Sequence, residues 1–193
     1  MISEFLSRGA TSEIQTAEQT TGTRQQFLRF HLMPDTTALL PVHQMTEVVT
    51  MAINEVVPIP HLPAWVMGVY NWRGEILWLV DLGHLIGLPP IHQQATGRST
   101  YTAIVIHPTQ QGRQKAGSQK TSGKLLGLLV NRVEDMESCN PDLIQSPPMS
   151  AVSPDLVPFL RGYWLKPDGE ILVVLDGDSI ITRMPQSQDS TAA

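Results

Sequence analysis

Gly68 to Leu82 reads GVYNWRGEILWLVDL, and a shortened echo, GYWLKPDGEILVVLD, runs from Gly162 to Asp176. The four residues Gly-Glu-Ile-Leu recur identically at Gly74 to Leu77 and Gly169 to Leu172, and each copy reaches an Asp seven residues after its glycine, at Asp81 and Asp176. An apolar run broken by a turn dipeptide and resumed with alternating apolar residues predicts a β-hairpin, with Arg73-Gly74 and Asp168-Gly169 as the turns. The chain is therefore expected to hold two related β units.

Outward from the first hairpin, Ile76, Trp78 and Val80 alternate with Leu77 and Leu79, so both faces of the return strand are apolar. That pattern suits the wall of a small closed barrel packed on a second element. DLGHLIGL from Asp81 predicts a helix of one or two turns, with Asp81 as N-cap and Gly87 as stop. Upstream, FLRFHL places Leu28, Phe30 and Leu32 on one side and Phe27, Arg29 and His31 on the other, a half-buried strand. Met33-Pro34-Asp35 reads as a turn, followed by apolar runs at Ala38 to Val42 and Glu47 to Met51; Pro41 implies an edge or a bend. The proline-rich Val57 to Pro63 is an extended connector, because each proline removes a backbone donor. Tyr101 to Ile106 and Leu125 to Val130 are further strands, and a second proline-rich connector from Ser146 to Pro158 leads into the second hairpin. Helical periodicity is nearly absent, so the expected architecture is mainly β: two small barrel-like units of short strands sharing a core.

At 193 residues the chain can hold one well-buried domain or two small, mutually dependent ones, and the internal echo favours the second. Residues 1–24 are polar and read as a mobile tail, residues 25–184 as the folded unit, and 185–193 as a polar C-terminal tail. The segment 107–124 is a turn-rich insertion with four of the 13 basic residues and none of the 18 acidic ones. It has no interleaved aromatics for stacking on bases, and a net charge of −5 gives no general attraction to nucleic acid or anionic lipid. The single cysteine, Cys139, fits a reducing compartment, and the cytoplasm is the expected location. No window approaches the apolar length of a spanning helix and no secretory signal is readable, so no direct membrane insertion is expected.

The residues of common active sites are missing or misplaced. Asp81 and Asp176 invite comparison with a proton-sharing carboxylate dyad, but neither lies in an Asp-Thr/Ser-Gly turn, and capping is the better reading. The six histidines include no pair at the spacing of a helical zinc motif, and no metal or cofactor is expected. Cys139 sits in an acidic segment that opposes thiolate formation, and reads as a buried structural thiol. Binding remains. Trp65, Trp72, Trp78 and Trp164 lie in or beside the hairpins and Arg73 stands at a hairpin tip; Trp and Arg dominate interface hot spots.

The sequence resembles the coupling (CheW-like) proteins of bacterial chemotaxis and related motility systems. The resemblance rests on QFLRFHL from Gln26, MTEVV from Met45, PIPHLPAWVMGVYNWRGEILWLVDL from Pro58, LLGLLVNRVEDMESCNPDLIQSPP from Leu125 and FLRGYWLKPDGEILVVLD from Phe159. It implies two five-stranded SH3-like β-barrel subdomains sharing a hydrophobic core, and a non-catalytic adaptor. The partners implied are the regulatory domain of a CheA-like histidine kinase and the cytoplasmic tip of a methyl-accepting chemoreceptor, whose helix pair would enter an apolar groove between the barrels. By position, Glu47, Gly68 and Arg73 match residues implicated in partner contacts, and Asn71, Trp72 and Gly74 complete the same tip.

Trp72 departs from the aliphatic residue usual in that turn, and the N-terminal lead and the insertion are longer than the usual pattern. Divergent coupling proteins of this kind accompany parallel systems such as phototaxis and type IV pilus motility. A response regulator or a motility protein is the alternative partner, and a hydrolase using Asp81 and Asp176 the alternative from another class.

Overall fold

Both copies of the Gly-Glu-Ile-Leu sequence open the return strand of a hairpin. In the first, β4 (Val66–Trp72) turns through Arg73-Gly74 into β5 (Glu75–Asp81); in the second, β9 (Leu160–Leu165) turns into β10 (Ile171–Leu175). The structure, a computed structural model, describes residues 24–94, 98–109, 125–146 and 152–184. Most of the expected N-terminal tail, most of the basic insertion and the C-terminal tail lie outside the described residues.

The remaining strands are β1 (Gln25–Leu32), β2 (Thr36–Pro41), β3 (Met45–Ala52), β6 (Thr100–Ile106), β7 (Leu126–Val130) and β8 (Arg132–Cys139); two short helices, α1 (Leu82–Leu85) and α2 (Gly177–Arg183), follow the hairpins. They form two five-stranded mixed sheets, in the orders β8-β1-β2-β10-β9 and β3-β6-β7-β5-β4. The two orders correspond: in each, the hairpin's return strand runs parallel to the central strand, β10 to β2 and β5 to β7. Each sheet rolls until the chain leaving one edge strand meets the opposite edge. Past β3, Val57 exchanges two hydrogen bonds of 2.9 Å with Val69 of β4; past β8, Gln145 exchanges two of 2.8 Å with Tyr163 of β9. The curl is thus pinned by one bridge per sheet, not by a continuous ladder.

Three apolar clusters explain why the strands are apolar on both faces. Leu77, Leu79, Ala103, Val105 and Leu129 fill the inside of the second sheet, and Phe27, Leu39, Leu172 and Val174 the inside of the first. The intervening residues Leu28, Phe30, Leu40, Val80, Ile104, Leu128 and Leu175 turn outward from both sheets into one shared cluster between them. Side-chain alternation along a strand sends successive residues to these two destinations. At about 25 cal/mol per Å² of apolar area removed from water, the shared seam is what joins the two sheets into one body.

β1 is covered on both faces rather than on the one expected: Leu28, Phe30 and Leu32 enter the shared cluster, while on the other side Phe27 is buried inside its own sheet and Arg29 and His31 are half-buried. Pro41 marks a bend, ending β2 before a single 3-10 turn at Val42–Gln44, but not an edge. β2 lies between β1 and β10, and a proline is accommodated there because it is the strand's last residue. The acidic stretch Glu134 to Glu137, read only as a charged segment, is part of β8. Its charge is answered by Arg29, whose guanidinium lies 2.7 Å from Glu134, 3.3 Å from Glu137 and 2.6 Å from Glu170, and by Lys166, 3.1 Å from Glu137. Cys139 is buried as expected; burial pushes its thiol pKa up, with Glu137 adding to the shift and Arg161 opposing it.

The two repeated aspartates are caps. Asp81 accepts the His84 N–H of α1 at 3.0 Å and the Ile91 N–H at 2.6 Å. Asp176 accepts the Asp178 N–H at 3.2 Å, the Ser179 hydroxyl at 2.7 Å and the Gln44 amide at 3.0 Å. Each carboxylate caps its own helix start and also accepts a donor from outside it, the Ile91 N–H for Asp81 and the Gln44 amide for Asp176. Burial acts to raise the Asp176 pKa, but these hydrogen bonds outweigh it and hold the carboxyl below the usual range.

Gly68 and Gly162 sit at matching bulges, where the register slips by one residue opposite β5 and β10. A Cβ on Gly68 would stand 2.2 Å from the Val57 carbonyl oxygen, and one on Gly162 2.7 Å from that of Gln145. Both glycines therefore admit the bridge that closes the sheet. Gly68→Ala and Gly162→Ala are expected to cost about 2–4 kcal/mol each in denaturant unfolding. Gly169→Ala, at a turn with open space around it, is expected to cost only about 1 kcal/mol.

A pH dependence follows from the capping. Because the folded Asp176 pKa is depressed, its contribution is fully present above the unfolded carboxylate value of about 4 and is lost as pH falls through the lower folded value. Glu134, lowered first by its hydrogen bond from His31, acts in the same direction. Unfolding midpoints measured from pH 6 downward should fall for the wild type and fall less steeply for Asp176→Asn, which keeps a capping side chain without the titration.

Candidate partner-binding tip

The hairpin between β4 and β5 requires two consecutive residues with positive φ, and Arg73 (φ 55°) and Gly74 (φ 85°) supply them. Asn71 holds the turn by accepting the Gly74 N–H at 3.0 Å through its side-chain oxygen. Arg73 is thus a non-glycine residue held in the left-handed region, a conformation that costs about 1 kcal/mol and projects its side chain off the end of the sheet.

Three of the expected site residues meet there. Glu47 comes from β3, brought beside the hairpin by the rolling of the sheet. Its Oε1 accepts the Trp72 indole N–H at 2.6 Å, and its Oε2 pairs with Arg73 Nη2 at 2.5 Å. The Arg73 guanidinium carbon lies 5.0 Å from the centre of the Trp72 ring, within cation–π range. The exposures are graded: Trp72 is 9% exposed, the Glu47 side chain 28% and the Arg73 side chain 68%. The arrangement offers a guanidinium with further donors facing solvent, backed by an aromatic ring that belongs to the core.

Of the remaining expected site residues, Asn71 and Gly74 shape the turn, while Gly68 lies within β4, four residues before that strand ends at Trp72. The close backbone approach expected at Gly68 is made by the chain's own Val57 and Pro58. The four tryptophans pack inward: Trp72 in the core of its own sheet, Trp65 and Trp78 against the shared cluster, and Trp164 against the core of the first sheet. The triad of Glu47, Trp72 and Arg73 spans 26 residues of sequence, and nothing in local periodicity signals that Glu47 and Trp72 are partners.

The outer face beside the tip is apolar and exposed. Ile76, next to Asn71 in the ladder, is 69% exposed, and its counterpart in the second hairpin, Ile171, is 61% exposed. At the junction of the two sheets a cleft of about 600 Å³ opens between α1 and the Pro154–Phe159 segment, walled by Trp65, Leu85, Leu88 and Phe159, with Asp155 and Arg183 at its rim. Among the described residues no cluster of three or more His, Cys, Asp or Glu is placed to hold a metal ion. Nor is any helix among them long and apolar enough to cross a membrane.

Residues 26–184 match the family model described as the CheW-like domain. A "Probable chemotaxis protein CheW" of Rhizobium etli is 33% identical over 104 residues, which are 53% of this chain and 55% of that protein. The alignment thus spans about half the length of that relative. The "Chemotaxis protein CheW" of Rhizobium meliloti is 27% identical over 136 residues, 67% of this chain and 76% of that protein. Among solved structures, the scaffolding protein TtCheW from Thermoanaerobacter tengcongensis superposes with a TM-score of 0.60 at 20% identity, covering 80% of this chain and 90% of that one. The shared architecture of paired, rolled five-stranded sheets and the match across almost the whole folded region agree: the chain belongs to the CheW-like domain family.

Proposed function

We propose that this chain is a cytoplasmic adaptor that couples chemoreceptors to a CheA-like histidine kinase, so that receptor state controls autophosphorylation. The observation that carries this reading is the tip at Glu47, Trp72 and Arg73. It presents a tethered guanidinium beside exposed apolar surface, a combination suited to holding another protein. Partner-binding roles for Glu47, Gly68, Asn71, Trp72, Arg73 and Gly74 follow from their place at or behind this tip: the first pins, the glycines and Asn71 set the backbone, and Arg73 contacts. Residues 25–184 are the working unit. The two aspartates that could have supported hydrolysis are consumed as caps on different helices, which favours the adaptor over that alternative.

The test is co-purification with the kinase regulatory domain and the receptor cytoplasmic tip from the same organism, followed by kinase autophosphorylation in the reconstituted mixture. The wild type should retain both and alter phosphorylation. Arg73→Glu should weaken receptor retention by about tenfold or more while lowering stability by only about 1 kcal/mol, since the ion pair it loses and the repulsion it gains against Glu47 are largely exposed. Retention of a response regulator in place of both would replace this reading with the alternative partner.

A further inference from the structure

Glu47 offers an incoming partner very little. Both of its carboxylate oxygens are engaged, one by the Trp72 indole N–H at 2.6 Å and the other by Arg73 at 2.5 Å. The donor on Trp72 is specific to tryptophan. Among apolar side chains large enough to fill this end of the core, only indole also carries an N–H. An aliphatic residue at position 72 would leave Glu47 Oε1 without this donor and Arg73 without a ring beneath it. Arg73, by contrast, has one short bond to Glu47 and no other hydrogen-bond partner among the described residues, and its side chain is 68% exposed.

From this we infer that Trp72 is a positioning and specificity-determining residue: by holding one Glu47 oxygen while Arg73 takes the other, it fixes that carboxylate beneath the turn and leaves Arg73 as the more exposed contact, so the partner group recognised at this tip is an anion, a carboxylate on the docking protein. The inference rests on the adaptor reading for the existence of that partner. Three contributions fix the guanidinium before binding: the ion pair to Glu47, the ring face of Trp72, and a turn that holds the Arg73 backbone in one conformation. Pre-organisation of this kind lowers the entropy lost when the partner docks. A carboxylate is chosen over a backbone carbonyl because a guanidinium already neutralised once still offers a planar pair of donors, whose strongest match is a bidentate anion.

The experiment is a double-mutant cycle in the full-length chain, with affinity measured by calorimetry against whichever partner, receptor tip or kinase domain, the wild type retains. Trp72→Phe keeps a ring under Arg73 but removes the N–H; Glu47→Gln keeps the shape but removes the charge. Each should weaken binding about three- to tenfold in the wild-type background and have no further effect once Arg73 is alanine. If either still weakens binding in the Arg73→Ala background, that residue touches the partner itself and the inference is overturned. Neutralising partner carboxylates one at a time should reproduce the Arg73→Ala loss at a single position; no such position overturns the anion assignment.

A partner-free readout separates this inference from the adaptor reading. Nuclear magnetic resonance of the free chain should show the Trp72 indole proton protected from exchange and the Arg73 Nε–H ordered, with the order lost in Trp72→Leu, which removes the ring face and the N–H together, while the amides of the first sheet keep their shifts. An Arg73 side chain equally mobile in both proteins would overturn the positioning role even if the adaptor binds its partners.

Discussion

The shared cluster between the two sheets is the constraint on which the rest of the molecule depends. Neither sheet has a large core inside its own curl: among the described residues the first sheet's interior cluster has five buried members, Phe27, Leu39, Cys139, Leu172 and Val174, and the second's has nine. A unit of that size is marginal by itself, because the fraction of surface buried falls with chain length. Turning the outer face of the central strands into a common seam gives each sheet a second core at no cost in chain length. It also fixes the composition: Val80, Ile104, Leu128 and Leu175 face outward from their sheets and must still be apolar. Charged residues are then confined to the rims and edges, which is where the hairpin tips lie.

Rolling a sheet over so small a core brings its two edges together, and the glycines make this possible. The contact between the Val57 carbonyl and Gly68 leaves no room for a side chain, and the matching contact at Gly162 repeats the solution in the other half. Closure has a functional consequence for the second sheet. It brings β3 beside β4, and therefore Glu47 beside Trp72 and Arg73. The tip geometry is a product of closure and not of the hairpin alone.

Much of this was legible in the sequence, and the boundary of legibility has a physical cause. The two hairpins, the apolar return strands and the capping aspartates were readable because each is encoded within a few neighbouring residues: a turn dipeptide, an alternation, an Asp before a short helix. The strand character of Arg132–Cys139 was not, because Glu134, Asp135 and Glu137 look like a solvated segment until Arg29 and Lys166 are brought across the sheet to meet them. The central position of β2 was masked by Pro41, whose missing donor matters only within a ladder and not at a strand's final residue. The site residues were found through family resemblance, but the bond that organises them, from Trp72 to Glu47, joins residues 25 apart and depends on sheet closure.

The two halves repeat one another closely enough that their differences are informative. In the register of the second hairpin, the place of Trp72 is taken by Lys166, whose backbone N–H bonds Glu170 where Trp72 pairs with Glu75. There the acids are met by Lys166 and Arg29, and the Arg29 guanidinium is enclosed by Glu134, Glu137 and Glu170 at 17% side-chain exposure. Arg132, whose side chain is 67% exposed, pairs there with Glu134 at 2.5 Å, but it is not among the described arginines stacked on an aromatic ring. At the first tip the same problem, an acid facing the end of a rolled sheet, is solved by an indole and one arm of an arginine, so the rest of that arginine remains directed at solvent. Two ends built on one plan thus differ in how the outward-facing guanidinium is held: at the second, Arg132 has an ion pair alone, whereas at the first, Arg73 has an ion pair and the face of an indole behind it.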